Sequence, residues 1–173
     1  MKRFILVFSI ITVSFIAGAQ KTSESATGAK FGGGLRVGLP LGDFGDSYSL
    51  GIGAELQAEY MFTPTVSGTF TTGYTNFIGK SESFGGFTFK NPSLGLIPIL
   101  VGARVYPAPD FFIGGKLGLG IFTGSSSSST GFSYEPQVGY NAEKFQFSLG
   151  YNGWSKNGGS LNHLGLTGIY KFN

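Results

Sequence analysis

The sequence predicts an all-β protein: an eight-stranded antiparallel up-and-down transmembrane β-barrel that follows a cleaved signal peptide. Three observations predict this fold class. Residues 1–19 have the charge and hydropathy pattern of an export signal. From Lys30 onward, apolar and polar residues alternate in eight separate segments, whereas a helix would repeat its apolar residues at three- and four-residue spacings. The connections between these segments are alternately short and long.

The chain begins with the three parts of a secretory signal peptide. Two basic residues open it, an apolar stretch over residues 4–16 follows, and Ala-Gly-Ala at residues 17–19 is a small-residue cleavage site. The apolar stretch is too short for a transmembrane helix, which needs about 20 residues. We therefore expect residues 1–19 to be a cleaved signal peptide and residues 20–29 to be a short, flexible polar lead-in.

Charge and cysteine content exclude several classes of function. The signal peptide holds two of the twelve basic residues and none of the nine acidic ones, so the rest of the chain has a net charge of only +1. No basic run with interleaved aromatic residues follows, and we expect no nucleic-acid partner. The chain has no cysteine and one histidine, so neither disulfides nor a metal site is expected. We predict no cofactor.

Residues 30–173 are predicted to form one barrel domain of eight strands. In each segment one face carries large apolar residues, and the other carries Gly, Ser, Thr and single charges. The clearest is LGIGAELQAEYMF, in which Glu55, Gln57 and Glu59 alternate with apolar residues. The third segment is weaker, and Pro98 in the fourth is expected at a strand start or a bulge. In order, the segments span residues 31–39, 50–62, 66–77, 97–105, 111–121, 132–140, 145–151 and 164–172.

The apolar face of these strands is predicted to point outward. An eight-stranded barrel has an interior just wide enough for side chains, and large apolar residues from every strand would overfill it. The small and charged residues therefore belong inside. An outward apolar surface on an exported protein requires a bilayer, where a closed barrel leaves no backbone group without a partner. The segments match the about 9–11 residues of a tilted membrane strand.

The connections predict how the barrel is oriented. Those after the second, fourth and sixth strands are short, and those after the first, third, fifth and seventh are longer. Short periplasmic turns and long extracellular loops are typical of outer-membrane barrels. Outward aromatic residues cluster near both strand ends, as the two membrane interfaces favour. We therefore expect both ends of the barrel domain to lie in the periplasm.

The overall pattern and the last segment carry a resemblance to a known family. Gly168, Tyr170 and Phe172 alternate as the final strand of an outer-membrane barrel does, although Asn173 follows the last aromatic residue. Over residues 30–173 the chain resembles the small outer-membrane β-barrel family, which includes the OmpA transmembrane domain and OmpX, OmpW-like and porin-like proteins. The resemblance implies an outer-membrane location in a Gram-negative cell envelope, contact with outer-membrane lipid, and recognition of the last segment by the barrel-assembly machinery.

Seven charged residues fall on the predicted inward face: Arg36, Glu55, Glu59, Arg104, Lys116, Glu135 and Lys171. Unpaired charges buried in so narrow a barrel would be costly. We therefore expect an internal network of ion pairs and hydrogen bonds that plugs the lumen. The alternative is a pore lined by these charges, but eight strands leave no aqueous channel.

His163, within SLNHLGL, is the one histidine and hence the candidate for catalysis. Outer-membrane lipid deacylases and palmitoyltransferases are eight-stranded barrels, and their acyl chemistry resembles serine–histidine hydrolysis. A deacylase would be expected to carry a serine two residues further on, where this chain has Gly165. We predict no catalytic residue and interpret His163 as a lumen or loop-edge residue.

The loop over residues 77–94, which contains FIGKSESFGGFTFK, is the longest connection and is rich in aromatic residues. It is the candidate for contact with a surface ligand, although it could equally pack on itself over the barrel mouth. We predict a non-enzymatic outer-membrane barrel with a structural or surface-interaction role carried by its extracellular loops. Three alternatives stay open: a narrow porin-like barrel passing small or apolar solutes, an outer-membrane lipid-modifying enzyme, and a secreted lipocalin-like binder with the faces reversed.

Overall fold

A computed structural model describes residues 28–84, 87–124 and 128–172. The predicted signal peptide and all but the end of the predicted lead-in lie outside these residues. Nearly all of the described chain is strand. In chain order the elements are β1 (Ala29–Leu41), α1 (Asp43–Ser47), β2 (Tyr48–Thr63), β3 (Val66–Gly79), β4 (Ser81–Phe84), β5 (Phe87–Lys90), β6 (Leu94–Ala108), β7 (Phe111–Thr123), β8 (Ser128–Asn141), β9 (Phe145–Lys156) and β10 (Gly159–Lys171).

Eight of the ten strands in the described chain close into one antiparallel barrel. Each pairs with its neighbours in chain order, except that β3 pairs directly with β6 and leaves β4 and β5 as a separate hairpin. The pairing of β1 with β10, from Gly32 opposite Lys171 to Leu41 opposite Asn162, closes the barrel. The predicted eight-stranded, antiparallel up-and-down barrel is therefore confirmed.

The exposure of the strand residues follows the predicted alternation. On the outward face Leu35 is 72% exposed and Leu56 is 58% exposed, whereas on the inward face Glu55 and Arg104 are 2% and 1% exposed. The prediction that the polar face lies inside is confirmed, and the reversed faces of a lipocalin-like binder are contradicted. Within the described residues, no helix is long and apolar enough to cross a membrane.

The strands extend beyond the predicted segments at the end that carries the long connections. The seventh barrel strand, predicted over residues 145–151, continues to Lys156 as β9. The eighth, predicted over residues 164–172, already begins at Gly159 as β10. Apolar residues such as Trp154 face inward there. Because apolar residues then occupy both faces of the strand, the sequence does not alternate with a period of two, and the pattern did not predict these strand ends.

One connection predicted to be long is instead a tight turn. Asn157 and Gly158 alone join β9 to β10, with φ angles of 49° and 84°. Two central residues with positive φ make a type I′ turn, whose twist matches that of the flanking strands. The prediction of a longer loop is wrong because most of SKNGGS belongs to the two strands.

Two of the other connections predicted to be long, those after β1 and β3, contain secondary structure of their own. The first contains α1, a five-residue helix that the all-β prediction did not include, and its Phe44 is buried. The third contains the hairpin of β4 and β5, in which Ser81 lies opposite Lys90. These elements lie at one end of the barrel, here called the loop end, and the short turns lie at the other, here called the turn end.

Candidate functional site

Four charged side chains form a closed set of ion pairs in the middle of the lumen, here called the central ring: Arg36, Glu55, Lys116 and Glu135. Arg36 Nη1 lies 2.9 Å from Glu55 Oε2, and Arg36 Nη2 pairs with Glu135 Oε2. Lys116 Nζ lies 3.2 Å from Glu55 Oε1 and 3.2 Å from Glu135 Oε1. Each cation therefore contacts both anions, and the ring has no net charge.

The sheet register brings these residues together from the centres of β1, β2, β7 and β8. Lys116 lies directly opposite Glu135 across β7 and β8, and Arg36 lies opposite Gly53 across β1 and β2. Glycine on a neighbouring strand provides the space for the guanidinium, since a Cβ on Gly165 would lie 2.3 Å from Arg36 Nη2. The small inward residues and the long charged ones are thus complementary in size.

Neutral side chains add hydrogen bonds to the central ring. Asn152 Nδ2 donates to Glu135 Oε2 at 3.3 Å, and Arg36 Nη1 lies 3.5 Å from the Thr167 hydroxyl oxygen. All four charged side chains of the ring are at most 6% exposed. Buried charges are tolerated when they are both paired and hydrogen-bonded, and the central ring meets both conditions.

A second polar group, here called the turn-end group, lies between the central ring and the short turns. Arg104 donates to Glu59 Oε2 at 3.0 Å and to Gln57 Oε1 at 2.7 Å. Glu59 Oε1 accepts from the hydroxyls of Ser67, at 2.6 Å, and Tyr106, at 2.5 Å. Arg104 and Glu59 thus form an ion pair that is separate from the central ring.

Lys171 belongs to neither group. Its Nζ donates to Asn141 Oδ1 at 3.1 Å and to the carbonyl oxygen of Ala142, at the turn-end rim of the barrel. The structure therefore places six of the seven inward charges of the sequence analysis in ion pairs inside the lumen. It places Lys171 on neutral acceptors at the rim.

The loop end of the lumen is filled by apolar side chains, here called the aromatic cluster: Phe44, Phe77, Leu96, Phe122 and Trp154. Phe44 comes from α1, and its ring centre lies 4.9 Å from that of Phe77 and 6.0 Å from that of Phe122. The Phe122 and Trp154 rings are 5.1 Å apart, edge to face. Trp154 Nε1 donates to the Gly120 carbonyl at 2.8 Å, so its one polar atom is satisfied.

The aromatic cluster was not predicted from the sequence. The prediction of a small and polar inward face is wrong at the loop end. A signal was present, because Phe77, Phe122 and Trp154 occupy the polar register of their own strands. Glycines on other strands make room for them: a Cβ on Gly51 would lie 2.5 Å from Phe77, and one on Gly131 would lie 2.6 Å from Trp154.

His163 lies on the inward face of β10, next to the aromatic cluster. It is 1% exposed, and its ring centre is 5.0 Å from that of Phe77. Neither ring nitrogen has a hydrogen-bond partner in the described part of the chain, so His163 is not paired there with a serine or a carboxylate. No group of three or more His, Asp or Glu residues among those described is placed to hold a metal ion.

Comparison with known proteins finds likeness of structure alone. No protein-family model matches the chain, and no curated protein matches its sequence. The fold is similar to the crystal structure of Ail, the attachment invasion locus protein of Yersinia pestis, with a TM-score of 0.56, 15% identity, and coverage of 83% of this chain and 97% of Ail. The structure of Ail in a phospholipid bilayer nanodisc gives a TM-score of 0.58 and 16% identity, covering 83% of this chain and 99% of that one. The chain has the fold of a small outer-membrane β-barrel.

At the loop end of the present barrel, the connection after β1 is hydrogen-bonded to the connection after β3. The Lys80 backbone N–H donates to the Ser47 carbonyl at 2.9 Å, and Lys80 Nζ donates to the Gly45 carbonyl at 2.5 Å. Asn91 Nδ2 donates to the Ser47 carbonyl at 3.3 Å. The predicted contact loop, residues 77–94, is therefore tied to α1 at both ends of its hairpin.

The terminal strand of the barrel presents its aromatic residues on the outer wall. Tyr170 and Phe172 are exposed, and their ring centres are 6.2 Å apart. Phe145 on β9 lies 5.3 Å from Tyr170, edge to face. Gly168 shares this outward register, whereas Asn173 lies outside the described residues.

Proposed function

We propose that the protein is a non-enzymatic barrel that spans the outer membrane of a Gram-negative cell, with a plugged lumen and a structural or surface-contact role carried by its loops. The observation that carries the proposal is the central ring. Four buried charges, each paired with two charges of opposite sign, occupy the middle of the lumen. The interior of an eight-stranded barrel holds side chains but not a water channel as well.

The outer wall of the barrel supports the membrane location. Exposed apolar patches as large as this one need a partner surface, and a closed barrel keeps its backbone groups paired within hydrocarbon. Strands of 12 to 16 residues are long enough to cross when tilted. Every barrel strand exposes at least one large apolar side chain: Leu35, Leu56, Phe70, Val101, Leu117, Phe132, Phe147 and Leu166.

The filled lumen argues against the alternative of a narrow porin-like barrel. A solute would have to pass the turn-end group, the central ring and the aromatic cluster in turn. Breaking a buried ion pair by removing one partner costs about 3–5 kcal/mol. Separating the paired charges of the central ring to open a path for a solute would therefore be unfavourable. A lipid-modifying enzyme would need a nucleophile beside a base, and burial of His163 against Phe77 supports a packing role instead.

We assign the surface-contact role to the loop over residues 77–94. Lys80 and Asn91, which flank the β4–β5 hairpin of this loop, bind it to α1 beyond the barrel. Ail, which shares the fold, is named for attachment and invasion, and this supports a contact role of the same general kind.

We assign the remaining parts of the chain from their sequence. Residues 1–19 are the export signal, residues 20–29 are the lead-in, and residues 30–173 are the membrane domain. The barrel-assembly machinery reads the terminal strand through Tyr170 and Phe172, whose exposure on the outer wall leaves them accessible.

Two measurements on the full chain expressed in a Gram-negative host test the proposal. Folded protein should fractionate with the outer membrane and should migrate faster on a denaturing gel before boiling than after it. Reconstituted into a planar bilayer, it should give no stepwise current. Steady channel conductance would favour the porin-like alternative, and soluble protein without the heat-dependent shift would contradict the membrane location.

The loop assignment has its own test. Replacing residues 81–90 with a Gly-Ser linker of equal length should preserve the heat-dependent shift and abolish any adhesion of intact cells to a panel of surfaces. The matched control replaces residues 142–144, the turn between β8 and β9 at the turn end, with Gly-Ser-Gly. Undiminished adhesion with the linker in place would contradict the assignment.

A further inference from the structure

The chain contains two Asn-Gly pairs, and the fold places them in opposite surroundings. Asn152-Gly153 lies within β9, and Asn157-Gly158 forms the turn between β9 and β10. In an Asn-Gly pair the glycine nitrogen can attack the amide carbon of the asparagine side chain, because no Cβ on the glycine hinders its approach. The two pairs therefore share one intrinsic reactivity, spontaneous deamidation, and differ in how the structure holds them.

The pair in the turn is open to this reaction. Asn157 and Gly158 are both exposed, and a Cβ on Gly158 would have no atom within 4 Å. Neither the Asn157 side chain nor the Gly158 backbone N–H forms a hydrogen bond with a residue that the structure describes. Both residues lie beyond the last paired positions of the hairpin, Lys156 and Gly159. Attack therefore requires rotation of the backbone at the tip of the hairpin and no unpairing of the barrel wall.

The pair in the strand is held in place. Asn152 is 2% exposed, its Nδ2 donates to Glu135 Oε2 at 3.3 Å, and its Oδ1 accepts from the Ser133 hydroxyl at 3.4 Å. Its backbone lies opposite His163 in the pairing of β9 with β10. Attack by the Gly153 nitrogen would require these hydrogen bonds and that pairing to break first. The structure therefore protects Asn152.

We propose that Asn157 deamidates spontaneously in the folded barrel, whereas Asn152 does not. The Gly158 nitrogen gives its proton to a base in the solvent and attacks Asn157 Cγ. The new N–Cγ bond forms, the Cγ–Nδ2 bond breaks, and ammonia leaves. Water then opens the cyclic imide: cleavage of the new N–Cγ bond gives aspartate, and cleavage of the original peptide bond gives isoaspartate. Water is the co-reactant, and nothing is oxidised or reduced.

The two products differ in their effect on the turn. Both place a new carboxylate next in sequence to Lys156 at the loop end. Isoaspartate also lengthens the main chain by a carbon atom, because the chain then runs through Cγ. The turn depends on two residues with positive φ, here 49° for Asn157 and 84° for Gly158, and a longer main chain does not fit it. Isoaspartate should therefore loosen the tip of the β9–β10 hairpin, and aspartate should not. This inference goes beyond the proposed function.

Mass spectrometry of the full chain, folded in detergent and aged in mildly alkaline buffer, tests the proposal. Pepsin digestion in acid stops the reaction, and tandem spectra assign to one asparagine the mass difference between a hydroxyl and an amino group. Asn157 should react at least about tenfold faster than Asn152, since each 1.4 kcal/mol or so of opening free energy slows the reaction tenfold. In urea, where the barrel is unfolded, the two rates should be similar. An isoaspartate methyltransferase should label the aged Asn157.

Two variants separate the chemistry from its effect on the hairpin. Asn157→Gln should abolish the mass gain at this position, because its cyclic product is a larger ring that forms slowly. Asn157→Asp has the new charge without the longer main chain, so its urea midpoint should lie above that of the isoaspartate form. Equal rates at Asn157 and Asn152 in the folded barrel would overturn the proposal. A ratio of rates that persists unchanged in urea would also overturn it, since the fold would then not protect Asn152. The heat-dependent gel shift, which tests the membrane location, persists in both outcomes.

Discussion

Arg36 on β1 and Glu135 on β8 are 99 residues apart in sequence and form an ion pair across the lumen. In the barrel, β10 and β9 lie between these two strands, so the pair does not join neighbours in the sheet. It connects two parts of the wall that backbone hydrogen bonds do not connect directly. We therefore expect damage to the central ring to be felt by the whole barrel rather than by one hairpin.

Glu135→Ala should lower the free energy of unfolding by about 3–5 kcal/mol, because it leaves Arg36 and Lys116 each short of a buried partner. Urea titration in lipid vesicles, with the heat-dependent gel shift as the readout, measures the change. Glu143→Ala is the control, since Glu143 is exposed in the turn between β8 and β9 and its loss should cost less than about 0.5 kcal/mol. Equal changes in the free energy of unfolding for the two variants would show that the central ring does not stabilise the barrel.

Phe44→Ala should open the aromatic cluster to water while the barrel itself stays folded, because Phe44 belongs to α1 rather than to the wall. The chain has one tryptophan, Trp154, and it lies in this cluster. We expect its fluorescence emission to move to longer wavelength and its quenching by iodide to increase. Asp46→Asn, an exposed change on the same helix, should leave both unchanged. Unchanged emission in Phe44→Ala would mean that the cluster stays closed without α1.

Gly158→Ala should destabilise the β9–β10 hairpin by about 1–2 kcal/mol, because Gly158 has a φ of 84° and residues with a side chain are strained in that region. Gly159→Ala is the matched control: Gly159 has no positive φ, and the atom nearest to an added Cβ, the Lys156 carbonyl oxygen, is 3.5 Å away. The urea midpoint of each variant measures the difference. If both midpoints stay at the value of the unaltered protein, the turn is not of the type described.

A charge placed on the outer wall should cost more in the middle of the barrel than at its rim. Leu117→Arg lies beside the central ring and should cost about 2–4 kcal/mol, whereas Phe62→Arg lies at the turn end and should cost about 0–1 kcal/mol. Both side chains are more than half exposed, at 56% and 60%. A difference between the two costs would therefore not come from burial within the protein. Folding of each variant into vesicles, followed by gel shift, compares the two. Equal costs would contradict a wall that faces lipid.

The barrel was predictable from sequence because the alternation of faces along a strand is a local property. Glu55 and Leu56 are adjacent and differ from 2% to 58% in exposure, and their residue types alone indicate which one faces inward. Which inward charges meet was not predictable. Glu55 contacts Arg36 on the neighbouring strand and also Lys116 on β7, and the second contact depends on the stagger and tilt of the closed barrel.

The loop end was harder to predict than the strands. Trp154 and Phe122 face inward, so apolar residues occupy both registers there and the period of two disappears. The place of Phe44 depends on how the first connection folds back over the barrel, and that follows from tertiary contacts such as the bond from Lys80 to Gly45. No local pattern encodes such contacts.

Each half of the central ring is complete within a single hairpin. Arg36 and Glu55 pair across β1 and β2, and Lys116 and Glu135 pair across β7 and β8. An isolated charge is most costly in the hydrocarbon interior of a membrane. Each of these two hairpins contains one cation together with one anion that pairs with it. The contacts between the halves form only when the sheet closes. We therefore expect closure to join two neutral pairs, so that no charge has to enter the lipid alone to find its partner.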